Sequence, residues 1–321
     1  MTGENTSYPL VVGVDLGGTQ IRAAALQGST LLSRVSMLTG ENGTPERVVP
    51  RLFRAVDQAL SEAHLSRKEI VGIGIAAPGP LNNRTGVVLS PPNLPGWRNI
   101  PLREIFEEQY QLPVYLENDA NAGALGEYLF GAGRGSQDMV YLTISTGIGG
   151  GVIADGRILE GTAGTAGELG HITVDWRGEL CGCGNVGCLE GLASGTGIAR
   201  RVLEAIGRGE GEELLALARQ QNSSPGESTH ETFRVDARLV AQGASMGIPL
   251  ARRVLDEAAE ALGVGLVNII HLFNPEVIAL GGGLMQMGDQ LLAPALAIVR
   301  RRAMKVPREL ARIVSAELGP T

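Results

Sequence analysis

The sequence predicts an α/β protein of two domains. Short apolar runs of the strand type alternate with longer runs that have helical spacing, the pattern of folds in which helices cover a mostly parallel sheet. The 321 residues exceed the usual size of one domain, and 44% of them are hydrophobic, which is enough for a sizeable core. A strand, a glycine-rich turn and a second strand occur twice, at residues 10–26 and 139–154. We therefore expect two related halves.

Strands in the first half are expected wherever a short apolar run ends at glycine, proline or a polar cluster. The segments that meet this rule are residues 10–14, 21–26, 70–76 and 114–116. Residues 45–64 and 102–110 have apolar side chains at helical spacing and predict two helices. A third helix, rich in small residues, is expected to begin in the run Glu117-Asn118-Asp119-Ala120-Asn121.

The second half repeats this pattern and then becomes mostly helical. Its expected strands are residues 139–144, 152–154, 277–280 and 313–316. Its expected helices are residues 197–220, 236–246, 249–273 and 289–302, and residues 222–233 predict a polar surface loop. We expect a small domain of residues 1–118, completed by residues 304–321, and a large domain of residues 119–303.

Composition excludes several classes of protein. The net charge of −7 argues against a nucleic-acid surface, which needs a clustered basic face. Residues 1–9 are polar and lack the apolar segment of a signal peptide. The longest apolar stretch, residues 262–273, is too short to span a bilayer. We therefore expect a cytoplasmic protein that binds neither nucleic acid nor a membrane.

All three cysteines of the chain, Cys181, Cys183 and Cys188, follow closely after His171. One imidazole and three thiolates form the closed tetrahedral set of a structural zinc site, which leaves no coordination position for a substrate. The glycines between the cysteines allow the backbone to wrap tightly around an ion. Free thiols and a disulfide are the alternatives, but a disulfide would leave one cysteine over and nothing marks secretion. The sequence therefore predicts a zinc ion that shapes the fold.

Three carboxylates are candidates for contact with a ligand. Glu168 and Glu190 flank the cysteine segment, so a bound metal would fix their directions, and together with the imidazole they suit a polyhydroxylated ligand. Solvated glutamates are the alternative. Asp119 follows the carboxyl end of a strand, where α/β folds collect ligand groups, and can accept a proton from an alcohol. Helix capping by Asn118 or Asp119 is the alternative, and one of them can cap while the other acts.

Glycine-rich turns follow three of the expected strands. The first, Asp15-Leu16-Gly17-Gly18-Thr19, offers amides and a hydroxyl to an anion, and its carboxylate can bind Mg²⁺ through water. The second, Ser145-Thr146-Gly147-Ile148-Gly149-Gly150-Gly151, has more glycine than an ordinary turn needs. The third, Gly281-Gly282-Gly283, can hold a ribose or an α-phosphate. An ordinary hairpin turn is the alternative for the first, and a plain strand-to-helix turn is the alternative for the third.

These motifs, in this order, resemble the ROK family of sugar kinases and repressors. The resemblance covers essentially the whole chain, and the histidine–cysteine segment is its most specific part. Within the family the pattern is most similar to that of the bacterial ATP-dependent glucokinases. It implies an actin-like (ribonuclease H-like) fold of two α/β domains with a central cleft. It also implies a homodimer, or a dimer of dimers, formed through the larger domain.

The resemblance further implies a reaction in which ATP, with Mg²⁺, phosphorylates the 6-hydroxyl of glucose. Asp119 would be the base that takes the proton from that hydroxyl, and His171 would bind zinc while its other side faces the sugar. The positions implied to bind the sugar are Gly79, Asn93, Asn118, Asp119, Glu168, His171 and Glu190. The positions expected to bind the nucleotide are Asp15, Gly17, Gly18, Thr19, Thr146, Gly147, Gly149, Gly150 and Gly282.

Several alternatives stay open at this stage. Cys183 fits the glucose-type arrangement, because fructose-using relatives often carry a histidine among the cysteines, but N-acetylglucosamine and N-acetylmannosamine remain possible substrates. Other nucleotides or polyphosphate remain possible donors. A sugar-responsive repressor is disfavoured, because only fourteen residues precede Asp15 and a helix-turn-helix segment needs several dozen. A non-catalytic binding protein stabilised by zinc is a third alternative.

Overall fold

The chain divides into two compact units. The computed structural model describes residues 8–40, 43–222 and 235–319. Unit 1 contains residues 1–123 and 160–166, and unit 2 contains residues 124–159 and 167–321. None of the helices in the described residues has the length and apolar character needed to cross a membrane.

Unit 1 is built around one mixed sheet. Its strands are β1 (Leu10–Leu16), β2 (Gln20–Gln27), β3 (Thr30–Leu38), β4 (Ile73–Ala77) and β7 (Val114–Asn118), while β5 (Leu81–Asn82) and β6 (Val87–Val88) form a separate small hairpin. The order across the sheet is β3-β2-β1-β4-β7, with β1, β2 and β3 antiparallel and β1, β4 and β7 parallel. The helices are α1 (Pro45–Glu62), α2 (Leu102–Tyr110) and α3 (Asp119–Phe130), of which α3 continues into unit 2.

Unit 2 contains a second sheet of the same topology. Its strands are β8 (Met139–Ile144), β9 (Ile148–Ala154), β10 (Arg157–Ile158), β11 (Val277–Gly281) and β12 (Arg312–Ser315). The order is β10-β9-β8-β11-β12, with β8, β9 and β10 antiparallel and β8, β11 and β12 parallel. The shared order and directions confirm the internal repeat that the two strand–turn–strand segments predict.

Most of the helices lie in unit 2, and α8 is at their centre. Those that the structure describes are α4 (Leu189–Ala193), α5 (Gly195–Gly207), α6 (Glu212–Asn222), α7 (Ala237–Ser245), α8 (Pro249–Phe273), α9 (Asp289–Arg302) and α10 (Lys305–Leu310), with short 3-10 helices at Leu169–His171 and Gly283–Met287. Leu262 and Leu266 of α8 are fully buried. Gly265 lets α4 approach α8, because a Cβ there would lie only 2.8 Å from the Leu189 side chain. This contact fixes the position of α4, which carries Glu190.

The core of unit 1 holds one of the expected sugar-binding loops in place. Val48, Leu52 and Val56 form the buried face of α1. Trp97 is buried in the same core cluster as these three residues. Its indole N–H donates a hydrogen bond of 2.8 Å to the Gly43 carbonyl. Because Trp97 anchors the end of the loop at residues 91–97, it limits where Asn93 can lie.

Three expectations about individual elements need correction. Residues 197–220 form two helices, α5 and α6, because Gly209 and Gly211 adopt positive φ angles of 83° and 74°, which a right-handed helix cannot contain. Strand β3 was not expected, although its side chains alternate between exposed and buried positions. Strand β9 begins at Ile148 and therefore includes glycines that we expected in a turn.

The expected domain boundaries also differ from the observed division. We expected residues 304–321 to complete the first domain, but the structure groups them with unit 2. The reason is that β12 pairs in parallel with β11 and extends the second sheet. The expected loop at residues 222–233 lies outside the described residues, apart from Asn222.

Candidate functional site

The first glycine turn joins β1 to β2 in unit 1. The Gly17 N–H donates to the Gln20 carbonyl at 2.9 Å, and the Thr39 hydroxyl donates to the Gly17 carbonyl at 2.7 Å. A Cβ on Gly18 would lie 3.0 Å from the Asn93 backbone oxygen, so Asn93 packs directly against this turn. Gly18, which we expected to bind the nucleotide, and Asn93, which we expected to bind the sugar, are therefore neighbours in unit 1.

Asp15 precedes this turn and is paired with an arginine that the sequence analysis missed. Arg22 lies directly opposite Asp15 in the β1–β2 ladder and donates to its carboxylate at 3.0 Å. The two side chains are 47% and 43% exposed, so solvent screens the ion pair and it contributes little to stability. The carboxylate remains accessible to a hydrated cation, which would compete with the guanidinium for it. Arg22 is recognisable only when the hairpin register is known.

Asp119 begins α3 immediately after β7, as expected. The Asn118 side-chain oxygen accepts hydrogen bonds from the Ala120 and Asn121 N–H groups, so Asn118 caps the helix. One oxygen of Asp119 accepts the Ala120 N–H at 2.8 Å. The partial positive charge of a helix N-terminus stabilises a carboxylate at this position. Of the two candidates for capping, Asn118 has the capping role, which leaves Asp119 as the candidate proton acceptor.

A second carboxylate, Glu117, forms hydrogen bonds that stabilise the end of β7. It accepts hydrogen bonds from the Asn118 N–H at 2.8 Å, the Asn121 amide at 3.0 Å and the Asn83 amide at 3.1 Å. A Cβ on Gly79 would lie 3.2 Å from the Asn118 side-chain nitrogen, so Gly79 also borders this cluster. Unit 1 thus brings Gly79, Asn118 and Asp119 together at the end of β7.

The histidine and the three cysteines form a single cluster in unit 2. The potential ligand atoms of His171, Cys181, Cys183 and Cys188 all lie within 4.8 Å of one another. Cys183 Sγ is 3.7 Å from Cys188 Sγ, and Cys181 Sγ is 3.8 Å from His171 Nδ1. Tetrahedral ligands about 2.3 Å from a zinc ion lie about 3.8 Å from one another, which agrees with these separations. The donor set and its spacing therefore fit a closed zinc site.

Two of the thiols differ in acidity. Burial, reinforced by the neighbouring thiols, raises the pKa of Cys188 to about 12. A hydrogen bond from the Asn185 backbone lowers the pKa of Cys183. Without a cation, Cys188 stays protonated at neutral pH, whereas a metal ligand must be a thiolate. A divalent cation in this cluster would supply the charge that stabilises the thiolates.

The backbone of the cysteine segment is shaped by a glycine with a positive φ. Gly187 has φ +66°, and a Cβ at this position would overlap the Asp175 carbonyl oxygen. Isolated β-bridges join Thr173 to Cys188 and Leu180 to Val186. These contacts bring Cys188 next to the 3-10 helix that ends at His171.

Glu190 and Glu168 flank the cluster, as expected, but their environments differ. Glu168 is exposed and its carbonyl accepts the His171 N–H at 3.0 Å. The Glu190 carboxylate instead accepts the Ile148 N–H at 2.8 Å, and a Cβ on Gly147 would lie 2.6 Å from the same oxygen. Glu190 is therefore fixed against the end of the second glycine turn. This contact spans 42 positions of sequence, and no local signal predicts it.

The second glycine turn is shorter than the sequence indicates. The turn consists of Ser145, Thr146 and Gly147, whereas Gly149 and Gly150 pair with β8 as part of β9. A Cβ on Gly150 would lie 2.8 Å from Leu169, so this glycine is needed for close packing beside the 3-10 helix. In the structure, Gly149 and Gly150 are strand residues and not part of the phosphate turn that we expected.

A cavity of about 800 Å³ in unit 2 is lined by the second and third glycine turns. Gly282 has φ +91°, and a Cβ there would lie 2.3 Å from the Ile144 carbonyl oxygen, so the ends of β8 and β11 adjoin. The polar residues that line the cavity include Ser145, Thr146, Thr196, Asp236, Gln242 and Gln290. Phosphate and nucleotide sites in α/β folds lie at such carboxyl strand ends. The cavity is large enough for a small-molecule ligand.

The units divide the expected residues into two groups. Asp15, Gly18, Gly79, Asn93, Asn118 and Asp119 belong to unit 1, and Thr146, Glu168, His171, Glu190 and Gly282 belong to unit 2. Sequence reasoning missed Arg22 and Glu117 in the first group. In the second it missed Thr196, which lines the cavity, and Ser194, which caps the helix that carries Thr196. The Ser-Gly-Thr-Gly run that opens α5 is a local signal that an N-cap lies there.

Comparison with known proteins assigns the chain to a family. The model described as the ROK family matches residues 11–320. This chain belongs to the ROK family. A glucokinase from Halalkalibacterium halodurans is 39% identical over 285 residues, which cover 88% of this chain and 83% of that protein. A xylose repressor from Caldicellulosiruptor bescii is 32% identical over 302 residues, which cover 93% of this chain and 72% of the repressor.

A solved ROK structure has the same fold. The crystal structure of a ROK family glucokinase from Streptomyces griseus in complex with glucose and AMPPNP matches with a TM-score of 0.75 and 35% identity, covering 97% of this chain and 95% of that chain. The expected actin-like α/β fold of this ROK family member is therefore confirmed. Its two sheets of identical topology are the two halves of that fold.

Proposed function

We propose that this protein is an ATP-dependent sugar kinase that phosphorylates the 6-hydroxyl of glucose. The observation that carries the proposal is the hydrogen bond between Glu190 and the Ile148 N–H at the end of the Ser145–Gly147 turn. It joins a residue expected to bind sugar to a turn expected to bind phosphate. A sugar kinase needs these two subsites adjacent, because phosphoryl transfer requires its acceptor and donor in line.

Nucleotide binding is assigned to the cavity in unit 2 and to both short glycine turns. In this proposal Thr146 lines the nucleotide pocket, and Gly147 and Gly282 bind from positions next to the lining residues Thr146 and Gly283. Gly17, Gly18 and Thr19 would contact the terminal phosphates. Asp15 would hold Mg²⁺ through water, which stabilises negative charge that develops on the phosphoryl group. The relative from Streptomyces griseus, which binds AMPPNP, supports ATP as the donor.

Sugar binding is assigned to polar groups that can recognise several hydroxyls. Asn118, Glu168, His171 and Glu190 would bind the sugar, with further contacts from Asn93 and the Gly79 backbone. His171 approaches the metal cluster through Nδ1. A neutral imidazole bound in that way carries its proton on Nε2 and donates from there to a sugar oxygen. Zinc would have a structural role only, because four protein ligands leave no open position.

Asp119 would act as the general base. Its carboxylate would take the proton of the 6-hydroxyl as the oxygen attacks the γ-phosphorus and the bond from that phosphorus to the departing ADP breaks. General-base catalysis of this kind contributes about 10²–10⁴-fold. Most of the remaining acceleration would come from positioning and charge stabilisation, since the phosphoryl transition state is loose. The Ala120 N–H, which donates to one oxygen of Asp119 at 2.8 Å, helps to hold the carboxylate in place at the start of α3.

Glucose is the favoured acceptor for two reasons. Relatives named glucokinase are 36–39% identical over most of the chain, and the Streptomyces griseus protein was solved with glucose bound. Cys183 also fits the glucose-type arrangement, because fructose-using relatives often carry a histidine among the cysteines. We also propose a cytoplasmic homodimer or dimer of dimers.

The test is a coupled phosphorylation assay with purified protein. Glucose, N-acetylglucosamine, N-acetylmannosamine and xylose are each supplied with ATP or polyphosphate, and each sugar phosphate is quantified by mass spectrometry. A dehydrogenase specific for glucose 6-phosphate confirms the product formed from glucose. We expect the highest kcat/KM with glucose and ATP. A higher value with an N-acetylated sugar would replace glucose as the substrate. Sugar binding without any phosphoryl transfer would instead favour a non-catalytic binding protein or a repressor.

A further inference from the structure

The Ser145–Gly147 turn is held from one side by residues that open α5. The Gly195 N–H donates to the Ser145 carbonyl at 2.8 Å. The Thr196 N–H and the Thr196 hydroxyl both donate to the Thr146 carbonyl, at 3.1 and 2.8 Å. Three hydrogen bonds from two consecutive residues therefore fix two consecutive carbonyls of the turn.

The orientation of these carbonyls determines where the amide groups of the turn point. Both peptide bonds are trans, since Gly79–Pro80 is the cis peptide found among the described residues. In a trans peptide the C=O and the following N–H point in opposite directions. Because α5 draws the Ser145 and Thr146 carbonyls toward itself, the Thr146 and Gly147 N–H groups point away from α5. Amides oriented in this way are the donors that a phosphate needs.

The Thr196 hydroxyl is itself oriented by a buried serine. Ser194 is fully buried and caps α5, with its side chain accepting the Gly197 N–H at 3.0 Å. The same hydroxyl lies 3.1 Å from the Thr196 hydroxyl. The Thr196 hydroxyl therefore lies between the buried Ser194 hydroxyl and the Thr146 carbonyl. Its side chain is exposed and borders the cavity.

The other end of the turn is held by the same segment of chain. Glu190 accepts the Ile148 N–H, and the Glu190 carbonyl accepts the Ser194 N–H at 3.1 Å. The residues from Glu190 to Thr196 therefore contact both ends of the turn. This segment begins two positions after Cys188 of the proposed metal site, so it is joined directly to the cysteine cluster.

We propose that Thr196 is a positioning residue for the phosphate-binding turn. Its N–H and hydroxyl hold the Thr146 carbonyl, and this contact aims the Thr146 and Gly147 amides at the phosphates of the nucleotide. The proposal rests on the proposed function in taking the ligand of the cavity to be a nucleoside triphosphate. Thr196 acts through the turn and takes no part in the chemical step.

The test measures nucleotide binding in Thr196→Val, Thr196→Ser and a control, Thr85→Val. Valine keeps the shape and the backbone N–H but removes the hydroxyl, whereas serine restores it. Thr85 is also exposed, and its hydroxyl lies 3.5 Å from a carbonyl of its own turn in unit 1. Calorimetry with AMPPNP, ADP and adenosine gives Kd values without requiring turnover.

We expect Thr196→Val to raise the Kd for AMPPNP and ADP about threefold to tenfold, as for the loss of one hydrogen bond. The Kd for adenosine, which has no phosphate, should stay unchanged, and so should the KM for glucose. Thr196→Ser should restore the wild-type values, and Thr85→Val should match the wild type.

Three results would overturn the proposal. A wild-type Kd for AMPPNP in Thr196→Val would show that the hydroxyl does not position the turn. An equal loss of adenosine affinity would show that Thr196 contacts the nucleoside directly. Absence of AMPPNP binding by the wild-type protein would remove the nucleotide site altogether. Failure of the wild type to phosphorylate any sugar, with AMPPNP still bound, would contradict only the proposed function.

Discussion

Replacing Cys183 with serine tests the contribution of the proposed zinc ion without changing the packing around it. Cys183 is exposed, whereas Cys181 and Cys188 are only 6% and 1% exposed. Serine has nearly the same volume as cysteine, so Cys183→Ser leaves the buried contacts of the cluster intact. A hydroxyl does not ionise near neutral pH and is a poor zinc ligand. The variant should therefore lose zinc without creating a cavity.

The expected loss of stability follows from ligand linkage. A ligand present at about 100 to 1,000 times its Kd stabilises the folded state by about 2.7 to 4.1 kcal/mol. Unit 2 contains about 190 residues, and in a protein of that size each kcal/mol shifts the Tm by about 2–4 °C. Cys183→Ser should thus lower the Tm by about 5–15 °C. The wild type treated with a chelator should show a similar decrease.

Sugar affinity should fall together with stability. His171 belongs to the proposed metal site, and Glu190 follows Cys188 by two positions, so we expect loss of the ion to loosen both. Loss of one hydrogen bond to a charged group costs about 1.5–3 kcal/mol, which corresponds to at least a tenfold rise in the Kd for glucose.

Zinc content by mass spectrometry, Tm by scanning fluorimetry and glucose Kd by calorimetry measure the three effects on one preparation. Leu180→Ser is the matched control, because Leu180 is 66% exposed, lies in the same segment and supplies no ligand. It should keep one zinc per chain and the wild-type Kd. A zinc-free Cys183→Ser protein that binds glucose with wild-type affinity would refute the idea that the metal organises the sugar site.

Three further substitutions test other parts of the site. Asp119→Asn should lower kcat about 10²–10⁴-fold while the glucose Kd changes less than threefold, and near-wild-type kcat in a steady-state assay would remove Asp119 from the role of base. Gly147→Ala places a Cβ 2.6 Å from a Glu190 oxygen and should therefore raise the KM for glucose and the KM for ATP. Gly207→Ala is the control, because its Cβ would have open space around it, and it should change neither KM. Glu127→Gln should lower the Tm measured by calorimetry. The buried Glu127 carboxylate accepts three backbone N–H groups, and the NH₂ group of glutamine would repel at least one of them. An unchanged Tm would mean that these hydrogen bonds contribute little to stability.

Features whose parts are close in sequence were predictable. The ligands of the proposed metal site lie within one short segment, and their clustering needed only the chain to fold back at glycines such as Gly187. Strand β8 and helix α8 were predicted at their observed bounds, because a short apolar run and a long helical spacing are both local signals. The role of Asn118 as the helix cap was one of two local alternatives, and the structure decides between them.

Features that depend on register or distant packing were not predictable. Arg22 pairs with Asp15 only because the hairpin has a particular register, which determines the residue opposite each position. Gly150 was expected in the second glycine turn, but it lies in β9, where Leu169 occupies the space that a side chain would fill. Both cases involve residues whose partners come from another strand or helix. A glycine-rich run indicates that another group lies close to the backbone, but it does not indicate whether that group is a ligand or another side chain.

The repeated topology shows which part of the chain makes unit 2 different. In unit 1 the chain passes from β3 to β4 through α1, whereas in unit 2 it passes from β10 to β11 through the cysteine cluster and α4 to α8. His171, Glu190 and Thr196 all lie in this longer connection, and the last two hydrogen-bond to a turn of the shared scaffold. The sheet therefore supplies the turn, and the added segment sets its orientation. Since the strands of the sheet pair independently of that segment, substitutions at Glu190 or Thr196 should alter ligand affinity more than they alter the stability of the sheet.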